Sequence, residues 1–168
     1  MKKSLGEYYI KELSLIEHPE GGYYREMFRS EERIDYAQIK NNYGSSRSFY
    51  TSIYFLLDHP QYSAFHRLRS DELWYYHHGS SLTLYIIDPD GQLHTKRLGA
   101  SIADGDSLQL LIPAGSWFAA EVDQASSYTL MGCVVAPGFE FEDFELADGN
   151  ELARDYPEHE KLIRRLTR

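Results

Sequence analysis

The chain is short of the features that mark several large protein classes. It has a single cysteine, Cys133, so no intrachain disulfide can form, and the residue use suits a reducing compartment. No stretch approaches the roughly 18 consecutive apolar residues of a membrane-spanning helix. The N-terminus, MKKSLGEYYIKEL, starts basic but lacks the apolar run of a signal peptide. These readings together predict a cytoplasmic protein with no membrane partner. Positive charge is scarce as well: 17 Lys and Arg against 26 Asp and Glu give a net charge of −9, which repels a nucleic-acid backbone. There is no phosphate-loop glycine pattern, no dinucleotide fingerprint and no Gly-x-Ser-x-Gly nucleophile elbow. Neither βαβ alternation nor an internal repeat is visible, and no composition shift marks a domain boundary. The expectation is one domain over residues 1–168, with its core at about 20–146.

What is present is strand material. The 14 tyrosines among 168 residues favour pleated, half-buried surfaces and can line a pocket with an apolar body and a hydroxyl tip. Strands are predicted over Tyr23–Phe28, Ser48–Leu57, Ala64–Arg67, Glu72–His77, Leu82–Ile87, Leu93–Arg97, Leu108–Ile112, Trp117–Val122 and Tyr128–Val135, separated by Gly, Pro, Asn and Asp signals. Short strands at regular spacing mean an all-β sandwich or barrel. Leu5, Tyr9, Leu13 and Ile16 lie at helical spacing after Ser4, a candidate N-cap, and predict a short helix over 4–15. Ser30–Ser46 reads as a loop with a helical turn near Tyr36–Ile39. Phe139, Phe141 and Phe144 alternate with acids, as in a segment lying across a sheet, and short helices split by Pro157 are expected over 150–167.

The chemistry concentrates in Ser63–Gly79, SAFHRLRSDELWYYHHG. Read as a hairpin turning at Arg69-Ser70-Asp71, it places His66 and Leu68 on one face and Glu72, Trp74, Tyr76 and His78 on another. Packing Leu68 and Trp74 inward brings His66 and Glu72 inward with them, on neighbouring strands. An imidazole and a carboxylate in an apolar shell can shift each other's pKa and move a proton α to a carbonyl, or they can be a satisfied polar pair in the core. Trp74, Tyr76 and Phe118, with Gln109, are candidate ligand-binding walls, and each aromatic alone can equally be core. Arg25, Arg29, Arg67 and Arg69 are candidates for an anion at the mouth, or surface ion pairs.

With these residues in view, the chain resembles the cupin superfamily. The first cupin motif, His-x-His, three or four residues, Glu, six residues, Gly, is matched here by His66-x-Leu68, Glu72 and Gly79. The second, ending Pro-x-Gly-x-x-His, is matched by Pro113-x-Gly115-x-x-Phe118. Leu68 and Phe118 thus stand at two of the four cupin metal-ligand positions. A metal site wants three or four protein ligands, so His66 and Glu72 alone predict neither a metal nor another cofactor. HPEGGYYREMFRS (His18–Ser30), SIYFLL (Ser52–Leu57), FHRLRSDELWYYHHG (Phe65–Gly79), PAGSWFAA (Pro113–Ala120) and VAPGFEFEDFEL (Val135–Leu146) are similar to the cupin_5, or DUF985, group in order and spacing. That resemblance implies a double-stranded β-helix, the cupin jelly-roll barrel of the sugar-epimerase type, with short N- and C-terminal helices. It also implies a homodimer, and an unpaired edge strand at Tyr23–Phe28 points the same way.

Three functional readings follow. The first is a small-molecule-binding cupin acting as a metal-independent epimerase or isomerase on a sugar or other carbonyl compound, with His66 and Glu72 as catalytic pair. The second is a non-catalytic ligand-binding or sensing cupin. The third is a metal-dependent isomerase or oxygenase, which Leu68 and Phe118 disfavour.

Overall fold

The structure is a computed structural model and describes residues 5–35 and 43–168. Ser4 and the helical turn expected at Tyr36–Ile39 lie outside the described residues. Strand accounts for 46% and helix for 19%. Helix α1 (Leu5–Glu12) leads into β1 (Ile16–Glu17) and β2 (Tyr23–Arg29), then β3 (Arg33–Ile34), β4 (Arg47–Ser48) and β5 (Thr51–Asp58). The central strands are β6 (Tyr62–Leu68), β7 (Asp71–Gly79), β8 (Leu82–Ile87), β9 (Leu93–Leu98), β10 (Gln109–Ile112), β11 (Trp117–Val122) and β12 (Tyr128–Ala136). A short strand β13 (Phe144–Leu146) follows, then helices α2 (Gly149–Asp155) and α3 (Glu160–Arg165), with a 3-10 turn at Pro157–His159 between them.

Two sheets face one another without closing into a continuous barrel. One runs β1-β2-β5-β12-β7-β10, the other β13-β6-β11-β8-β9, and among the described residues β3 pairs only with β4. Alternation explains the core. Phe55, Leu57, Trp74, Met131 and Cys133 point inward from the first sheet and meet Leu68, Leu84, Ile86, Phe118 and Ala120 from the second. The outer faces are covered by helices, because the strands carry apolar residues there too. Tyr9, Ile10 and Leu13 around α1 pack on Leu56, Tyr128 and Leu130. Leu152, Ala153, Ile163 and Leu166 of the C-terminal helices pack on Phe65, Ile87, Trp117 and Ala119. Asp148 caps α2 by accepting from the Asn150 and Glu151 N–H groups.

Two sequence expectations are corrected here. The predicted hairpin of β6 and β7 does not form. β6 pairs with β11 and β13, while β7 pairs with β12 and β10, so Arg69-Ser70 carries the chain from one sheet to the other. Both strands bury a face, and crossing the sandwich lets the two faces meet instead of lying side by side. The corner is held by the Tyr43 hydroxyl, which donates to the Arg69 carbonyl at 2.8 Å. The edge strand at Tyr23–Phe28 is not unpaired either: β5 pairs along it, and β1 pairs with Tyr23 and Tyr24 on its other side.

Candidate functional site

The site forms where the β1–β2 turn docks on β6. Gly21 and Gly22 take φ of +113° and +74°, which only glycine adopts freely. A Cβ on Gly21 would lie 2.2 Å from the Tyr62 carbonyl oxygen, so the turn approaches β6 as closely as a backbone can. The Ala64 N–H then donates to the Glu20 carbonyl at 2.9 Å. That bond aims the Glu20 side chain inward, where the residue is only 6% exposed. Ser63 Oγ donates to Glu20 Oε1 at 2.8 Å, and His66 Nε2 and His18 Nδ1 lie 3.1 and 3.2 Å from Glu20 Oε2.

Glu20 therefore sits between two imidazoles and a hydroxyl. Burial alone would raise its pKa, but the charge of His66 and the hydrogen bonds of His18 and Ser63 hold it below the ordinary carboxylate value. Burial lowers the His66 pKa against the opposing pull of Glu20 and of the Ala64 carbonyl. The His66 Nδ1–H donates to that carbonyl at 2.7 Å, which leaves its Nε2 facing Glu20 Oε2 at 3.1 Å. The Phe118 ring packs against the imidazole at 4.0 Å between centroids, and Phe144 at 5.4 Å.

The facing wall belongs to β7 and β12. Glu72, 7% exposed, lies beside Val135, and Trp74 lies beside Cys133. Burial, reinforced by the negative charge of Glu20, pushes the Glu72 pKa up to about 8, so its carboxyl is protonated at neutral pH. The Trp74 N–H and the Cys133 thiol pull weakly the other way, although Trp74 Nε1–H is buried and aligned with no acceptor. The Cys133 thiol is itself pushed well up by burial.

Between the walls is a cavity of about 160 Å³. Its mouth is ringed by Tyr24, Phe139, Phe141 and Phe144, together with Arg29, whose guanidinium binds Glu26, Glu140 and the Phe139 carbonyl. The Phe139–Leu146 segment is pinned across the mouth by Asp143, which accepts from Arg47 Nε and Nη2 at 2.6 and 2.9 Å.

Of the residues singled out in the sequence, His66, Glu72 and Trp74 line this cavity. His66 and Glu72 face it from opposite sheets, with no hydrogen bond or ion pair joining them. Phe118 lies behind the His66 ring, in the core. Tyr76 shares the inward face but sits beyond the cavity, its hydroxyl donating to the Gly79 carbonyl at 2.6 Å. Gln109 is exposed: it pairs with Tyr75, on the outward parity of β10, while Leu110 and Ile112 point in. Arg67 pairs with Glu145 at the surface. Sequence reasoning missed His18 and Glu20. Their signal was the HPEGG turn, where a histidine and a glutamate precede two glycines, but a turn gives no direction for its side chains.

The cupin metal positions do not fit a metal here. Leu68 and Phe118 offer no donor, and both ring nitrogens of His66 are held by protein oxygens. Among the described residues no group of three or more His, Cys, Asp or Glu side chains is arranged to hold an ion.

Two facing antiparallel sheets around a cavity lined by both apolar and titratable side chains have the form of a cupin jelly roll. Solved structures agree: a protein of Shewanella oneidensis superposes with a TM-score of 0.87 at 41% identity, covering 99% of both chains. A hypothetical protein from Leishmania major gives 0.87 at 38%, covering 96% of this chain and 97% of that one. Oxalate decarboxylase from Bacillus subtilis shares the fold alone, with a TM-score of 0.55 at 15% identity, covering 89% of this chain and 36% of that one. An uncharacterized protein of Saccharomyces cerevisiae is 29% identical over 153 residues, 84% of this chain and 75% of its own length. The chain matches the family described as Cupin superfamily (DUF985), Cupin_5, over residues 7–147, and it belongs to that family.

Proposed function

We propose that this cupin binds a small carbonyl compound in its cavity and moves a proton on it without a metal, as an epimerase or isomerase does. One observation carries the reading: the two walls of a single cavity present groups of opposite character. The His18–Glu20–His66 network on one wall supplies proton acceptors next to a stabilising carboxylate, and Glu72 on the other is a neutral acid at pH 7. Neighbouring titratable groups pushed to opposite protonation states are the usual arrangement for acid–base transfer at a carbon next to a carbonyl. The aromatic mouth suits the apolar face of a sugar or a flat ring.

The test is deuterium uptake. Protein in D2O is incubated with a panel of aldoses, ketoses, nucleotide sugars and hydroxy-carbonyl acids, and exchange at the carbon next to the carbonyl is followed by proton NMR. Exchange that Glu72→Gln reduces at least tenfold supports the reading. If panel members raise the melting temperature while none exchanges, the cavity is a ligand-binding or sensing site. One feature favours that second reading: the His66–Glu20 pair is fully satisfied within the protein, as a structural pair would be.

A further inference from the structure

The two imidazoles on Glu20 are not equivalent. Both His66 nitrogens are committed, Nδ1 to the Ala64 carbonyl at 2.7 Å and Nε2 to Glu20 at 3.1 Å, and Phe118 and Phe144 pack on its ring. His18 uses only Nδ1. Its ring lies among Tyr24, Phe55, Phe141 and Phe144, at 4.7, 6.2, 6.2 and 5.7 Å between centroids, and all four of those residues line the cavity. Its Nε2 has no partner among the described residues.

The tautomer follows from the surroundings. Two groups meet His18 Nδ1: the Glu20 N–H points at it from 3.4 Å, a long contact, and Glu20 Oε2 lies closer, at 3.2 Å. An unprotonated Nδ1 would set its lone pair against a carboxylate oxygen at the shorter distance, so the proton belongs on Nδ1. The lone pair is then on Nε2.

We propose that His18, through Nε2, is the imidazole that exchanges a proton with the cavity's occupant, and that His66 is a positioning residue acting on it through Glu20. This deepens the proton-transfer reading and rests on it. The occupant is then defined from the other wall as well. Among the described residues the buried Trp74 Nε1–H has no well-aligned acceptor and lies beside the Glu72 carboxyl on the same strand face, so a ligand oxygen lodged there accepts from both. A small compound with an acidic C–H beside a carbonyl, such as an α-hydroxy aldehyde or ketone, meets both walls. In the step, His18 Nε2 takes the carbon-bound proton and the C–H electron pair becomes the C=C bond of an enol. The carbonyl oxygen takes the Glu72 proton, leaving Glu72 as carboxylate and His18 as imidazolium beside Glu20. Glu72 then takes back an O–H proton as the C=O re-forms, while His18 returns its proton to carbon. For the epimer, the proton returns to the original carbon, on the other face of a turned-over enol, and the enol O–H proton goes to Glu72. For the isomer, it goes to the former carbonyl carbon, and the proton of the neighbouring hydroxyl goes to Glu72.

Two readouts need no substrate. In protein labelled with 15N-histidine, long-range proton–nitrogen spectra at pH 7.5 should show His18 protonated on Nδ1 with Nε2 bare. A His18 protonated on Nε2 instead would overturn the proposal. Diethyl pyrocarbonate, followed by peptide mass spectrometry, should modify His18 at least tenfold faster than His66, and equal or reversed rates would overturn it. Both stand even if no panel compound exchanges, so loss of the proton-transfer reading is told apart from loss of the His18 assignment. For any compound that does exchange, His18→Gln should lower the rate at least 100-fold and His66→Gln by less. The reverse order, in variants with native circular dichroism, would make His66 the exchanging residue.

Discussion

Replacing Glu72 by glutamine keeps the shape of the side chain and removes its ability to ionise. The carboxyl's pKa rises from an ordinary 4.5 to about 8 in the folded protein, because burial disfavours the charge and Glu20 adds to that effect. In the unfolded chain it ionises at the ordinary value. Between these values the folded state holds a proton that the unfolded state has released, so stability falls as pH rises through the window and levels off above about 8. Each unit of separation is worth about 1.4 kcal/mol, so the carboxyl costs the fold on the order of 3 kcal/mol at pH 7 and ~5 kcal/mol above pH 8. Near pH 5 the cost is under ~1 kcal/mol. Glu72→Gln should therefore gain over wild type by roughly 2–3 kcal/mol between pH 5 and pH 7, a large part of an ordinary domain's total of about 5–15 kcal/mol. Urea unfolding of both proteins at half-unit pH steps from 5 to 9 reads the difference directly, and the histidines titrate in both and cancel. A constant difference across that range would mean that Glu72 ionises like a surface carboxylate, and the acid assigned to the far wall would be lost.

Asp143→Ala should destabilise the protein by about 3 kcal/mol, the low end for removing one partner of a buried ion pair, because Glu142 at 2.9 Å still reaches the buried Arg47. Thermal unfolding that showed a loss under ~1 kcal/mol would mean the Phe139–Leu146 segment is held by its phenylalanines alone. Leu68→His combined with Phe118→His should raise affinity for Zn2+ or Ni2+ at least tenfold by calorimetry, since residue 118 lies directly opposite His66 in the β6–β11 register. No gain in a folded double variant would show that the inherited layout can no longer close around an ion. Among the described residues no strand pairs with the outer edge of β2 beyond Tyr24, where Phe28 is 64% exposed, and two copies joined there should give about twice 19.5 kDa by light scattering at micromolar concentration. A mass near 19.5 kDa would refute that assembly.

The strands were legible because each carries its own signal. Leu82–Ile87 and Trp117–Val122 begin and end where alternation and turn residues place them. His66, Glu72 and Trp74 were legible as inward residues because parity along a strand is a local property. Two candidate wall residues nevertheless fall outside the cavity. Gln109 lies on the outward parity of β10, and Tyr76, though inward, lies too far along β7 to reach the cavity.

Residue type and spacing along the chain are enough for the family, the all-β class and the loss of two cupin metal ligands, since each of these is a local property. Tertiary structure alone decided which groups meet. β6 and β7 are joined by two residues yet lie in opposite sheets, because each has an inner face to bury and the sandwich satisfies both. Glu20 reaches Ser63 across 43 positions of sequence because two glycines let its turn lie against the β6 backbone, and it brings His18 with it. A side chain's partner across the fold depends on how the whole chain closes, and nothing in the residues near His66 specifies that the carboxylate beside it is Glu20 and not Glu72.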